Sequence, residues 1–204
     1  IGGGQLGRML VEAAQPFNIE TFVLDPTPNS PAAQLADHQI IGDFKNAQMV
    51  KKLAKVVDLL TFEIESANLK VLNNISKSKK IKPKPQTLEI IQDKLKQKKF
   101  LEKLKIKTPQ FTKIENRKDL ENFIDKVKLP VILKARFHAY DGRGNAQIHK
   151  KTDIAKAFIK LKGQKLYAEK FIVFEKEIAT QVIRGAGKIL FCYPIVETVQ
   201  KNNI

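Results

Sequence analysis

The opening residues Ile1-Gly2-Gly3-Gly4-Gln5-Leu6-Gly7 constrain the fold more than any other stretch. Glycines in the spacing Gly2-x-Gly4-x-x-Gly7 let a chain leave a strand, turn tightly and enter a helix. The first helical amides then point at whatever polar or anionic group lies ahead. Leu6, Met9, Leu10, Ala13 and Ala14 recur at helical spacing, and Pro16-Phe17-Asn18 ends that helix. Thr21 to Leu24 reads as a short buried strand stopped by Asp25-Pro26. Ile40-Ile41 follows as a third strand, residues 46–55 as a helix and Val56 to Phe62 as a fourth strand. Strands alternating with helices in this way require a parallel sheet with crossover helices.

The pattern then changes. Residues 76–85 are rich in Lys, Ser and Pro and suit a connection. Thr87 is placed to cap a helix running through Leu104, stopped by Thr108-Pro109. A strand over Phe111 to Ile114, a helix capped by Asn116, and a strand over Val131 to Ala135 come next. After a charged loop and a further strand, Thr152 is placed to cap a helix to Leu161. Leu166 to Phe171, Glu177 to Ile183 and Lys188 to Tyr193 are strand-like, and Gly185-Ala186-Gly187 turns the last two into an antiparallel hairpin. The expected division is residues 1–85 and 86–204. The chain begins at Ile1 inside a strand end and stops at Ile204 without a closing helix, which reads as a piece cut at both ends.

Composition removes several function classes. No apolar run approaches the 18 or so residues of a membrane-spanning helix. One cysteine, Cys192, cannot build a disulfide framework or a zinc cluster, and a lone thiol fits a reducing compartment such as the cytoplasm. Cys192 lies in an apolar strand and reads as packing. The net charge of +16 invites a nucleic-acid reading. Lysine dominates the positive charge, whereas base readout and bidentate phosphate contacts favour arginine. Trp is absent, so the lysines read as a solvated surface.

Four groups of residues remain as candidate chemistry. The glycine turn, with Asp25 at the end of the next strand, fits a dinucleotide site in which the acid takes a ribose hydroxyl. Glu63 and Glu65 follow the fourth strand, at the end where open α/β sheets bind ligands. Lys134 stands in the apolar run Val131-Ile132-Leu133, where a lysine is costly unless an anion meets it. Tyr140-Asp141-Gly142-Arg143-Gly144-Asn145 follows as a glycine loop with a cation, and strand lysine plus glycine loop is a phosphate-clamping logic. Glu169, the backbone of Lys170 and Ile172, and Glu177 can read an adenine edge and a ribose. His38, His138 and His149 have no zinc spacing.

These motifs, in this order, resemble the ATP-grasp family, and within it the N5-carboxyaminoimidazole ribonucleotide synthetases of purine synthesis. The carrying segments are Gly2 to Met9, Thr61-Phe62-Glu63-Ile64-Glu65, Gln92-Asp93-Lys94, Lys134, Tyr140 to Gly144, Glu169 to Glu177, and Tyr193-Pro194 with Glu197. The resemblance implies an α/β chain with a Rossmann-like pre-ATP-grasp domain, an ATP-grasp lid over about residues 108–165 and the start of an antiparallel, truncated core sheet. It implies ATP with magnesium, aminoimidazole ribonucleotide and bicarbonate as small-molecule partners, and a homodimeric parent. Lys94 and Lys134 would contact the ATP phosphates and Ala139 to Asn145 would cover them. Glu169, Lys170, Phe171 and Ile172 would hold adenine, Glu177 the ribose, and Gln200 would lie near ATP where some members have histidine. Gln5, Leu6 and Glu63 would lie in the ribonucleotide site, faced by Tyr140, Asp141 and Arg143.

The chain departs from the family where Phe137-His138-Ala139 replaces a more glycine-rich approach to the loop. The family's magnesium-binding acids and bicarbonate-holding basic residues are expected beyond Ile204, so this piece alone should bind weakly and not turn over. Two other readings stand beside this one. A relative acting on glycinamide ribonucleotide typically carries Glu-Leu at Gln5-Leu6, and a binding-only nucleotide module needs neither Lys134 nor the glycine loop.

Overall fold

The computed structural model describes residues 1–138, 144–185, 187 and 189–199. The chain forms two compact units, Ile1–Ile106 and Lys107–Ile204.

In the first unit, helix α1 (Gln5–Ala14) leaves the glycine turn, and strand β1 (Phe22–Asp25) pairs in parallel with β2 (His38–Ile41). Helix α2 (Ala47–Val56) is capped by Asn46, whose side chain accepts from the Gln48 amide. It buries Val50, Leu53 and Ala54. The expected long fourth strand is only Leu59–Leu60 (β3), because the chain leaves the ladder at Thr61. Helix α3 (Leu69–Ile75), capped by Asn68, was not anticipated by the sequence reading. Nor was β4 (Lys80–Ile81), which pairs in parallel with β3 inside the supposed connection. Ile81 is buried there, so one apolar residue among lysines suffices to fix a strand.

The single helix expected from Thr87 to Leu104 is two helices, α4 (Pro85–Gln92) and α5 (Lys94–Lys103). Thr87 caps neither, because Pro85 at the first helical position starts α4 after Lys84. Asp93 has extended backbone (φ −112°, ψ 101°) and its carboxylate accepts from the Leu95 and Lys96 amides, restarting the helix.

The second unit carries a four-stranded antiparallel sheet in the order β5-β8-β6-β7, from β5 (Phe111–Ile114), β6 (Val131–Ala135), β7 (Asn145–Ile148) and β8 (Leu166–Lys170). Helix α6 (Arg117–Val127) opens with a capping box between Asn116 and Asp119. Helix α7 (Asp153–Lys160) is not capped by Thr152, which is already helical; instead Asp153 accepts from the His149 and Lys150 amides. Both helices cover one sheet face, with Leu120, Phe123, Ile124 and Ile154 packed against Val131, Leu133 and Ala168.

The strand expected over Glu177 to Ile183 divides at Thr180-Gln181 into β9 (Glu177–Ala179) and β10 (Val182–Arg184). β10 pairs with β11 (Leu190–Cys192) as the expected antiparallel hairpin, and β9 with β12 (Val196–Thr198). Cys192 is exposed rather than packed, because this two-stranded ribbon has neither face covered among the described residues.

The helix break gives a direct test. Asp93→Ala should cost about 1–2 kcal/mol, the usual loss of an N-cap, whereas Thr87→Ala should stay within about 0.5 kcal/mol. Urea unfolding followed by circular dichroism distinguishes the two, and equal losses would return the cap to Thr87.

Candidate functional site

The glycine turn crosses the end of the parallel strands. Gly2 has φ +93°, a conformation that L side chains rarely adopt, and a Cβ there would collide with the Glu63 carboxylate. Gly3 has no room for a side chain against Ser30 and Asp25. Asp25, nearly buried, accepts from the Gly3 amide at 2.8 Å with one carboxylate oxygen and from the Thr27 amide at 2.8 Å with the other. Its carboxylate thus holds the turn in place, and the reading in which Asp25 grips a ribose hydroxyl does not survive.

The turn positions its neighbours. Gln5 and Leu6 are exposed in the first turn of α1, whose N-cap Gly4 offers no side-chain cap. Glu63 is half-buried beyond β3 and its amide donates to the Ile1 carbonyl at 3.1 Å. Gln92 spans the loop behind it, donating from Nε2 to the Glu65 carbonyl at 2.6 Å and the Ala67 carbonyl at 2.9 Å. Sequence spacing offers no sign of this clamp. Lys94 is half-buried as the first residue of α5. A cation is disfavoured there by the helix dipole, so an anion drawn to it meets both the lysine and the helix amides.

In the second unit, strand alternation sorts the site from the core. Val131, Leu133 and Ala135 face the helices, so Ile132 and Lys134 face away. Cross-strand register puts Tyr167 and Asn145 opposite Lys134, and Glu169 opposite Ile132, all on that second face. Lys134 Nζ pairs with Glu169 Oε1; the Glu169 side chain is 6% exposed and that of Lys134 21%. The strand lysine is therefore not on an edge: β6 is interior and the anion that meets it is Glu169. Burial, reinforced by the Glu169 carboxylate, pushes the Tyr167 phenol up and keeps it neutral. Tyr167 was missed by the sequence reading; its position two residues before Glu169 on an alternating strand was the available sign.

Beyond β8, the Lys170 amide donates to Gln110 at 2.8 Å and the Phe171 amide to Pro130 at 3.2 Å. Lys170 Nζ folds back onto the Lys128 and Leu129 carbonyls, at 3.1 and 3.2 Å. Ile172 is exposed. Gly144 is buried and its carbonyl accepts from Ala135 at 2.8 Å, anchoring the end of the glycine loop on β6. Glu177 lies apart, in the ribbon, where Oε1 accepts from Thr198 Oγ1 at 2.7 Å. Ala139, Tyr140, Asp141, Gly142, Arg143 and Gln200 lie outside the described residues. Among the described residues no group of three or more His, Cys, Asp or Glu comes together to hold a metal, and no helix is long and apolar enough to cross a membrane.

Two family models match the chain. The ribonucleotide synthetase preATP-grasp domain matches residues 1–92 and the ATP-grasp domain residues 99–204. Phosphoribosylaminoimidazole carboxylase of Saccharomyces cerevisiae is 44% identical over 212 residues, covering 100% of this chain and 37% of that protein. N5-carboxyaminoimidazole ribonucleotide synthase of Synechococcus elongatus is 33% identical, covering 100% of this chain and 52% of that one. N5-carboxyaminoimidazole synthase from Aspergillus clavatus, solved with ADP and 5-aminoimidazole ribonucleotide, superimposes with a TM-score of 0.92 at 37% identity, covering 100% of this chain and 54% of that one. The chain thus spans between about a third and about half of these relatives. With a pre-ATP-grasp domain followed by an ATP-grasp domain, the chain belongs to the ATP-grasp family.

Proposed function

We propose that this chain is part of an ATP-dependent carbon–nitrogen ligase that carboxylates 5-aminoimidazole ribonucleotide with bicarbonate, giving N5-carboxyaminoimidazole ribonucleotide. The observation that carries the reading is the Lys134–Glu169 pair on the sheet face turned away from the helices. A lysine held in place by a buried carboxylate is positioned before any phosphate arrives. Relatives solved with ATP, or with ADP and 5-aminoimidazole ribonucleotide, support the choice of ligands. Gln5, rather than glutamate, favours this substrate over glycinamide ribonucleotide.

In this reading a bicarbonate oxygen attacks the γ-phosphorus of ATP and ADP leaves. The ribonucleotide amine then attacks the activated carboxyl carbon, losing a proton as phosphate departs. Lys134 and Lys94 meet the phosphate charge, and residues Ala139 to Asn145 cover it. The Lys170 carbonyl and Ile172 hold adenine, with Phe171 beside them, Glu177 the ribose, and Gln200 lies near the nucleotide. Gln5, Leu6 and Glu63, with Tyr140, Asp141 and Arg143, hold the ribonucleotide. Magnesium would offset phosphate charge when bound; no ligand to it is assigned among the described residues, and no step is routed through it. A homodimeric full-length protein in the cytoplasm completes the reading.

The test is ATP hydrolysis by the full-length protein. It should require both aminoimidazole ribonucleotide and bicarbonate, and hydrolysis indifferent to the ribonucleotide would end the proposal. Lys134→Ala should lower kcat by about 10²–10³, the usual loss of one electrostatic contact to a transition state. It also orphans the buried Glu169 charge, so Lys134→Met with Glu169→Gln should regain the lost stability without regaining rate. Turnover near wild type in Lys134→Ala would remove this lysine from the phosphate site. Glu63→Ala should raise the ribonucleotide KM while leaving ATP affinity nearly unchanged. The opposite split, read by steady-state kinetics and calorimetry, would move Glu63 to the nucleotide.

A further inference from the structure

Lys170 ends β8 with its side chain on the face of the sheet that does not carry the site. In register it stands opposite Val131, and Val131, Leu166 and Ala168 all pack toward α6 and α7. Strand alternation therefore sends the Lys170 side chain to the helix face, while its neighbour Glu169 points to the other face and meets Lys134. A half-buried ammonium at that place needs acceptors. It finds them at the end of α6, where Nζ donates to the Lys128 carbonyl at 3.1 Å and to the Leu129 carbonyl at 3.2 Å. Carbonyls at a helix C-terminus have no partner within the helix and lie at its negative end, so a lysine is well suited to take them.

The next carbonyl along the chain is held in the same way. Pro130 accepts from the Phe171 amide at 3.2 Å, so the successive carbonyls of Lys128, Leu129 and Pro130 are all bound by residues 170 and 171. From the other side the Lys170 amide donates to the Gln110 carbonyl at 2.8 Å, one residue before β5. The segment that leaves β8 is thus gripped between the entry to β5 and the exit of α6. The grip strains Lys128. Its backbone has φ 61° and ψ 158°, a region in which residues other than glycine persist only where the surrounding structure enforces it. Here the Lys128 amide is bonded to the Ile124 carbonyl at 2.7 Å and the Lys128 carbonyl to Lys170, so both sides of the strained residue are fixed.

We propose that the Lys170 ammonium is a positioning group for base recognition: by clamping the end of α6 it fixes the backbone of residues 170–172, and that backbone distinguishes adenine from guanine. This role presupposes the proposal that the segment holds the adenine of ATP. Adenine offers an amino group beside an unprotonated ring nitrogen, whereas guanine offers a carbonyl beside a ring N–H on the same edge. The Lys170 carbonyl and the Ile172 amide match the first pattern. Against the second they set acceptor against acceptor and donor against donor. A site built on hydrogen bonds rejects the mismatched base because its own groups are left unpaired, and it does so only while those groups cannot turn to suit the newcomer. A peptide free to rotate would present an N–H where the carbonyl stood. The clamp removes that freedom without the lysine side chain touching the nucleotide.

Calorimetry of ADP and GDP binding to the full-length protein tests this, and it needs neither ribonucleotide nor bicarbonate. Lys170→Met keeps an apolar stem of similar length and removes the donors. It should weaken ADP binding about tenfold and leave GDP binding within about twofold, so the preference for ADP falls by nearly a factor of ten. Lys170→Arg, whose guanidinium can reach the same carbonyls, should keep most of the preference. Lys128→Gly relieves the strained backbone and keeps the carbonyl, so it should raise Tm and leave the preference intact. Adding Lys128→Gly to Lys170→Met should recover stability while the preference stays lost, which separates the clamp's effect on the base from its effect on folding. A Lys170→Met protein, alone or with Lys128→Gly, that keeps its full preference for ADP overturns the proposal, because the lysine then only stabilises the sheet. So does an arginine variant as indiscriminate as the methionine one, because the preference then does not follow the donors. An unsubstituted protein that binds ADP and GDP alike ends the adenine assignment and this role with it, whatever the hydrolysis test of the carboxylation gives.

Discussion

The carboxylate of Asp25 governs the glycine turn of the first unit. A glycine-rich turn has little conformational preference of its own, and glycine loses more freedom on folding than any other residue. Something must therefore hold it. Asp25 does so by accepting from the Gly3 and Thr27 amides at once, joining the turn to the exit of β1. The Ile1–Thr61 and Glu63–Ile1 bonds then set Glu63 over Gly2. Each contact needs the previous one. Without glycine at position 2 the Glu63 carboxylate has no place, and without Asp25 the turn has no fixed direction. Charge-assisted bonds from backbone amides to a nearly buried carboxylate are among the stronger neutral-to-ion contacts available to a protein. The cost of ordering the glycines is met at the point where it arises.

In the second unit the equivalent constraint is strand parity. The helices α6 and α7 claim one face of the sheet through Leu133 and Ala168, which leaves Lys134, Tyr167 and Glu169 together on the other without further instruction. A buried ion pair is weak evidence for stability, because desolvation of both charges offsets much of their attraction. Its value here is positional. Glu169 is almost fully buried and can move little, so the Lys134 ammonium it holds is fixed to within a hydrogen bond. A lysine on a flexible stem otherwise loses substantial rotamer freedom on meeting a phosphate. Here that ordering is made in advance by folding.

Much of this was legible in the sequence, and the misses share a cause. The glycine turn, the helix cap at Asn116, the hairpin after Glu177 and the lysine in an apolar strand all announce themselves within a few residues, because the physics is local. Thr87 and Thr152 had the right chemistry for caps but the wrong neighbours: Pro85 fixed an earlier start for one helix, and Asp153 took over the role at the other. The short helix Leu69–Ile75 carries too few turns for a periodic pattern, and β4 rests on one buried residue, Ile81. Asp25 was read as a ligand for a ribose because the sequence shows an acid after a strand but not the amides that already occupy it. Gln92 acts through partners 25 or more residues away, and no short window on the sequence contains both ends.

Gln92 shows how the first unit couples its parts. It ends α4 just before Asp93 restarts the chain as α5, so the break between the helices points its side chain across the loop that follows β3. A continuous helix over the same residues would carry position 92 onto a regular helical face, with no reason to meet the Glu65 and Ala67 carbonyls. The carboxylate of Asp93 therefore does two things at once. It caps the helix that begins with Lys94, and it creates the corner from which Gln92 restrains the segment carrying Glu63. The lysine assigned to phosphate and the glutamate assigned to the ribonucleotide thus depend on one buried side chain lying between them in sequence.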